Sequence, residues 1–152
     1  MPSAVLHPAR PSDIDRILAM MERFYAIDGY PFRPERTRRA LEEFIAEPHN
    51  GSLWLITADT QTVGYAVLAT VYSFEFGGKN AFIDELYLEP EFRGRGIGRA
   101  AVEHLVRTAA ESGITALHLE TEHHNTAAIE LYRRFGFEDH HRVLMTRMLI
   151  DD

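Results

Sequence analysis

The stretch ELYLEPEFRGRGIGRA, Glu85 to Ala100, runs an apolar segment into a turn with three glycines and three arginines, and then into a helix-compatible sequence. Glycine lets a backbone N–H come close to an anion, and the first turn of a helix adds unpaired N–H groups and the positive end of its dipole. Two familiar phosphate loops are excluded by spacing. Gly94, Gly96 and Gly98 do not give G-x-G-x-x-G, because position 99 is Arg, and no Gly-Lys-Ser/Thr follows. The turn also comes late in the chain, unlike the first βα turn of a dinucleotide fold. What remains is R-x-x-G-x-G at Arg93, Gly96 and Gly98. Such a turn suits a pyrophosphate, with Arg93, Arg95 or Arg99 supplying further charge. Taken alone, it is equally consistent with a solvated basic helix start.

The elements that would position this turn follow from periodicity. AVLHPAR reads as a first strand, and PSDIDRILAMMERFYAI as a helix with Ser12 as cap and Ile14, Ile17, Leu18, Met21 and Tyr25 on one face. A second helix is expected from Pro34 to about Glu47, before Pro48. Gly51 opens the sheet region, where SLWLITA, TVGYAVLATVYSF and AFIDELYL form an antiparallel meander. Ile97, Ala101, Leu105 and Ala109 recur every four residues up to a stop at Gly113. Strand 81–88, helix 97–112 and strand 114–121 then make a βαβ unit with its two strands parallel. A helix from Asn125 carries Ala128, Leu131, Tyr132 and Phe135 on one face and stops at Gly136, and HRVLMTRML reads as a final strand. The expected class is α/β with a mixed, mostly antiparallel sheet and about four helices, in one domain over residues 1–152.

Composition narrows the function classes. Sixteen Lys and Arg against 23 Asp and Glu give a formal net charge of −7, which argues against nucleic acid or an anionic membrane as a partner. With no cysteine, there is no thiol nucleophile, disulfide framework or Cys-ligated zinc site. The N-terminus lacks the pattern of a secretory signal, and no apolar run is long enough to span a bilayer, so a cytoplasmic location is expected.

A second motif lies downstream. NTAAIELYRRFGF gives N-x-x-A-x-x-x-Y-x-x-x-G-F at Asn125, Ala128, Tyr132, Gly136 and Phe137. Together with LYLEPEFRGRGIG it resembles the GNAT superfamily of acetyl-CoA-dependent N-acetyltransferases, and HPARPSDIDRI looks like that family's opening strand and helix. The resemblance implies that the turn from Arg93 through Gly94, Arg95, Gly96, Ile97 and Gly98, with Arg99 beside it, cradles the pyrophosphate of coenzyme A. It implies a bulged strand before the turn, with Leu86 and Leu88 offering backbone groups to the pantetheine arm, and a side-chain contact to that arm from Asn125, which is also a helix cap.

The same resemblance gives Tyr132 a catalytic role. A thiolate leaving with a pKa near 8.5 can take a proton from a phenol of pKa about 10 held at the sulfur. The acceptor ammonium must lose a proton as well, and the nearest acids are Asp84 and Glu85. Alternation puts them on opposite strand faces, so only one reaches the site unless the strand is irregular. Glu85 is preferred as base, with Asp84 as the rival and water as a further alternative. The aromatic and acidic segments around Glu22, Asp28 and Glu75 would line an acceptor groove for a cationic amine. His123–His124 and His140–His141 have no carboxylate at helical ligand spacing and are read as loop or surface residues, so no metal is expected.

These features imply direct acetyl transfer from acetyl-CoA to a primary amine, on a small molecule or on a peptide or protein, in a ternary complex. A non-catalytic acyl-CoA-binding or regulatory module is the competing class, and a binder of another phosphate ligand is a third. A homodimer is left open, with no independent argument for it in the sequence.

Overall fold

The computed structural model describes residues 3–151. Among them five strands form one sheet in sequence order: β1 (Ala4–Pro8), β2 (Gly51–Ala58), β3 (Gln61–Ser73), β4 (Gly78–Leu88) and β5 (Leu117–His118). The first four are antiparallel neighbours, and β5 lies parallel to β4. Four α-helices accompany the sheet among the described residues: α1 (Ile14–Ile27), α2 (Pro34–Ala46), α3 (Ile97–Glu111) and α4 (Thr126–Arg134). This is the mixed α/β arrangement that the periodicity predicts, including the parallel βαβ unit β4–α3–β5. None of the described helices is long and apolar enough to cross a membrane.

The sheet separates two apolar layers. On one face, Ile14, Ile17, Leu18 and Met21 of α1 and Leu41 of α2 pack with Leu53, Leu55, Tyr65, Val67 and Tyr87. On the other, Ile97, Ala101, Leu105 and Ala109 of α3 pack with Leu6, Ile56, Val63, Ala66, Leu68 and Ile83. Alternate residues of β2 and β3 therefore serve different layers, as a strand covered on both faces requires. The β2–β3 hairpin turns on Asp59 and Thr60, both at positive φ, a two-residue geometry matched to strand twist. Gly64 lets β3 lie against the end of β4, since a Cβ there would stand 2.1 Å from the Tyr87 carbonyl oxygen.

Three local expectations change. Ser12 caps no helix: Pro11–Asp13 is a short 3₁₀ turn, and the Asp13 carboxylate accepts a 2.8 Å hydrogen bond from the Arg10 N–H. Proline at position 11 favours that tight turn by fixing its own φ. The strand expected over 114–121 pairs only at Leu117 and His118, because β5 diverges from β4 after the Phe82–His118 pair. HRVLMTRML forms no strand. The segment passes the β3–β4 hairpin tip, where Arg142 pairs with Glu75, and runs to α2, where Arg36 donates to the Asp151 carbonyl. Its apolar side chains face outward, with Val143 83% and Leu149 87% exposed.

Candidate active site

The site begins with a register fault in β4. Val67 pairs with Glu85, but its neighbour Leu68 pairs with Ile83, so Asp84 is an extra residue opposite an unbroken β3. A bulge of this kind suspends the alternation that would send adjacent side chains to opposite faces. Asp84 and Glu85 accordingly line the same cavity, and the choice between them is no longer forced by the pleat.

That cavity holds about 210 Å³ and lies between the helical layer and the sheet. Its floor is a row across three strands, Leu53, Val67 and Glu85, which are successive cross-strand partners. Met21 and Tyr25, one turn apart on α1, form one wall, and Thr37, Ala40, Leu41 and Phe44 of α2 form another. The lining is apolar apart from Thr37, the Tyr25 hydroxyl and the two carboxylates.

Glu85 is clamped from both sides. The Tyr25 hydroxyl donates to one of its carboxylate oxygens and the Tyr65 hydroxyl to the other, each at 2.6 Å. Burial raises the Glu85 carboxyl above the ordinary carboxylate range; the two phenols oppose that rise and the charge of Asp84 adds to it. Burial also raises the Asp84 carboxyl. Both phenols are pushed well above their usual value, by burial first and by the Glu85 charge second, so they act as donors and not as acids. Helical periodicity places Tyr25 on the core face of α1 but gives neither it nor Tyr65 a role at the site. The available signal is a hydroxyl-tipped aromatic at a core position, which needs a buried partner.

The glycine turn follows directly from the end of β4. After Leu88, Pro90–Phe92 makes a 3₁₀ turn, and Arg93 reaches back to donate to the Leu88 carbonyl at 2.9 Å while lying over the Tyr87 ring. Gly94 and Gly96 take left-handed φ values of +73° and +81°, and α3 starts at Ile97 with no side-chain cap. The first backbone bond of α3 runs from the Ala100 N–H to the Gly96 carbonyl. The N–H groups of Ile97, Gly98 and Arg99 therefore belong to the open first turn, the arrangement a phosphate needs. Arg95 stacks on Phe92, so of the three arginines two are turned onto aromatic rings.

Helix α4 closes this side. Its Leu131 and the Leu88 side chain both approach Gly98, within 3.9 Å of where a Cβ would stand. Asn125 caps α4, accepting from the Ala128 N–H at 3.2 Å. Tyr132, on the same helix, packs edge-on against Phe137 with ring centroids 5.7 Å apart. Its hydroxyl has no hydrogen-bond partner among the described residues, and burial pushes its pKa up to about 12. Leu86 and Leu88 pair with β3 on one side, while β4 has already parted from β5 on the other. The gap between those strands opens toward the glycine turn.

Other sequence candidates lie outside this arrangement. Glu75 is engaged by Arg142, and Asp28 is 3.1 Å from the His124 ring nitrogen. His123 and His124 lie in the turn before α4, and His140 and His141 in the segment after it, all four exposed.

Comparison with known proteins agrees with these features. The acetyltransferase (GNAT) family model matches residues 17–137. A thialysine N-epsilon-acetyltransferase of Sus scrofa is 31% identical over 77 residues, a match covering 51% of this chain and 45% of that protein. The chain thus matches about half the length of such curated relatives. Among solved structures, an integron cassette protein from the mobile metagenome of Cole Harbour Salt Marsh superposes with a TM-score of 0.85 at 31% identity, covering 97% of this chain and 91% of the other. A predicted acetyltransferase of Clostridium acetobutylicum, solved with acetyl-CoA, has the same fold at 21% identity, with a TM-score of 0.81 and 97% of both chains covered. With the family match spanning the glycine turn, the bulged strand and the tyrosine helix together, the chain belongs to the GNAT family of acetyltransferases.

Proposed function

We propose that this protein transfers an acetyl group from acetyl-CoA directly to a primary alkylamine, with both substrates bound together. The observation that carries the reading is the composition of one strand. β4 presents two carboxylates at its bulge and, three residues after Glu85, reaches the end from which the anion-binding turn departs. At about 3.3 Å per residue that separation is roughly 10 Å along the strand, and the turn carries the chain further before the open N–H groups of α3, which leaves room for an extended thioester arm between pyrophosphate and acceptor.

The residues fit acetyl-CoA on their own chemistry. The open N–H groups of Ile97, Gly98 and Arg99 and the left-handed Gly94 and Gly96 leave a backbone cradle for the pyrophosphate, and the gap between β4 and β5 accommodates the pantetheine arm alongside Leu86 and Leu88. Bound there, acetyl-CoA supplies the acyl group as an activated thioester. Asn125 is the side-chain contact at the start of α4.

The acceptor enters as an ammonium. Its charge is attracted by Asp84 and Glu85, and its aliphatic stem is received by Met21, Leu41 and Phe44. Glu85 takes the proton, directly or through one water, and its raised pKa makes it a better base than an ordinary surface carboxylate. The freed nitrogen lone pair then attacks the thioester carbonyl. Tyr132, protonated at any physiological pH, gives its hydroxyl proton to the departing sulfur. A mostly apolar cavity of about 210 Å³ with two carboxylates in its lining favours an alkylammonium, and the likeness to a thialysine acetyltransferase supports an amine of that kind.

The test is thiol release from acetyl-CoA across lysine analogues, polyamines, aminoglycosides and short peptides, read with a thiol-reactive dye; the absence of cysteine removes protein background. Release with alkylamines is expected. Tyr132→Phe should reduce turnover about 10²-fold or more while leaving acetyl-CoA affinity unchanged. Unchanged turnover in that variant would remove the role of Tyr132. Binding of acetyl-CoA without release for any amine would favour a non-catalytic module.

A further inference from the structure

The gap between β4 and β5 is open at the glycine turn and closed at its other end. With that gap as the channel for the thioester arm, as proposed above, we infer that Phe82 and His118, the residues that close it, limit the length of the acyl group and confine the protein to the shortest acyl donors.

The closed end is a fork. Among the described residues β5 pairs with β4 at Ala81–Leu117 and Phe82–His118 and no further toward the turn. Behind those pairs the seam is tied by the Ala81 N–H, which donates to the Ala116 carbonyl at 3.1 Å, and by the Thr115 N–H, which donates to the Lys79 carbonyl at 3.0 Å. On the α3 face of the gap, Leu86, Leu88 and Leu119 pack against the core layer and cover it. On the opposite face the stop is aromatic. Phe82 lies on the same side of the sheet as Glu85, because their β3 partners, Ala69 and Val67, are two residues apart. His118 is the cross-strand partner of Phe82, and the two rings stand 5.1 Å apart between centroids.

The path from the carboxylate to this stop is short. Although Phe82 and Glu85 are three residues apart, the bulge at Asp84 reduces the distance to two strand steps, roughly 7 Å. An acyl carbonyl attacked beside Glu85 has that path ahead of it, and the two rings take up part of it. Each further CH2 lengthens an acyl chain by about 1.3 Å, so only a few carbons fit before the chain meets a ring.

A stop of this kind works only if it cannot swing aside, and His118 is held. Asn80 is the one buried polar side chain among the described residues, 1% exposed. Its Nδ2 donates to the Gly78 carbonyl at 2.9 Å, which leaves its Oδ1 to accept from the His118 Nε2–H at 3.1 Å. That polarity fixes the tautomer and the orientation of the imidazole. Phe76 packs on the same imidazole, with centroids 4.4 Å apart. Rotating His118 out of the fork would leave the buried Asn80 Oδ1 without its donor, and that opposes the displacement.

Binding of a donor series tests this without an acceptor amine. Dissociation constants are measured by titration calorimetry for CoA, acetyl-CoA, butyryl-CoA and hexanoyl-CoA. A channel with no stop gains about fourfold in affinity for each CH2 buried. The wild type is expected to do the opposite and lose about tenfold or more from acetyl-CoA to hexanoyl-CoA, as overfilling of a packed site requires. His118→Ala and Phe82→Ala each remove one ring and should reverse the order, so that hexanoyl-CoA binds more tightly than acetyl-CoA. Folding of each variant is checked by circular dichroism, and Phe82→Val, a milder truncation suited to a strand, serves where an alanine variant does not fold. Thiol release from the same donors with an accepted amine should follow the same order. Affinity that climbs with chain length in the wild type overturns the inference and leaves acetyl transfer standing. Folded variants that keep the wild-type order overturn it as well. Failure of acetyl-CoA itself to bind would remove the donor reading, and the acyl limit with it.

Discussion

Glu85 is held by two phenols that do not ionise near neutral pH, so its chemistry is set by burial and by hydrogen bonds of fixed polarity. Its carboxyl is raised in the folded protein relative to an unfolded chain, where it titrates near 4.3. The native state therefore binds more protons between the two values. The associated stability is fully present below the unfolded pKa and is lost as pH rises through the folded one. Glu85→Gln keeps an acceptor and removes the charge, so its melting temperature should exceed that of the wild type at pH 8 and match it near pH 4. The same variant should lose about 10²- to 10⁴-fold in kcat/KM if Glu85 is the base. A melting curve at each pH and one kinetic series check both halves. Tyr65→Phe removes a hydrogen bond that lowers the carboxyl pKa, so the acidic limb of kcat/KM against pH should move to higher pH; an unmoved limb would assign that limb to another group.

At the scale of elements, the two ends of β4 differ in how readable they are. The glycine turn is legible because its determinants are local: positive φ at Gly94 and Gly96 and an uncapped helix start are written in consecutive residues. The bulge is expected only through the family resemblance, because it is a mismatch between β3 and β4, and nothing in FIDELY by itself says which residue will be left over. For the same reason the pairing of Asp84 with Glu85 in one cavity, and the Tyr25 and Tyr65 clamp from two other elements, are products of register and packing. The glycines of the turn should separate by their geometry. Gly98 has ordinary helical space within the protein, since a Cβ added there would meet Leu88 Cδ1 at 3.7 Å and Leu131 Cδ2 at 3.9 Å, so Gly98→Ala should be tolerated in stability, and any loss of acetyl-CoA affinity would come from the added methyl crowding the bound anion. Gly96→Ala places a side chain at φ +81°, costing about 1–2 kcal/mol and disturbing the N–H cradle, so it should raise KM for acetyl-CoA as well as lowering the melting temperature. Equal losses of melting temperature from the two substitutions would remove the left-handed geometry of Gly96 from the account of the turn.

At the scale of the whole molecule, the order of strands and helices is readable up to Phe137, because each element buries a periodic face within its own chain. Beyond it the pattern of VLMTRMLI still says strand, and a strand needs an edge that local sequence does not specify. Neither core layer contains a residue after Phe137, so the body does not depend on the tail for its interior. A variant ending at His141 retains both core layers, so it should fold with a thermal midpoint within about 4 °C of the full chain's, checked by circular dichroism. A loss of roughly 10 °C or more would mean that the exposed apolar tail, including Val143, Met145 and Leu149, stabilises the folded state through contacts outside the two core layers.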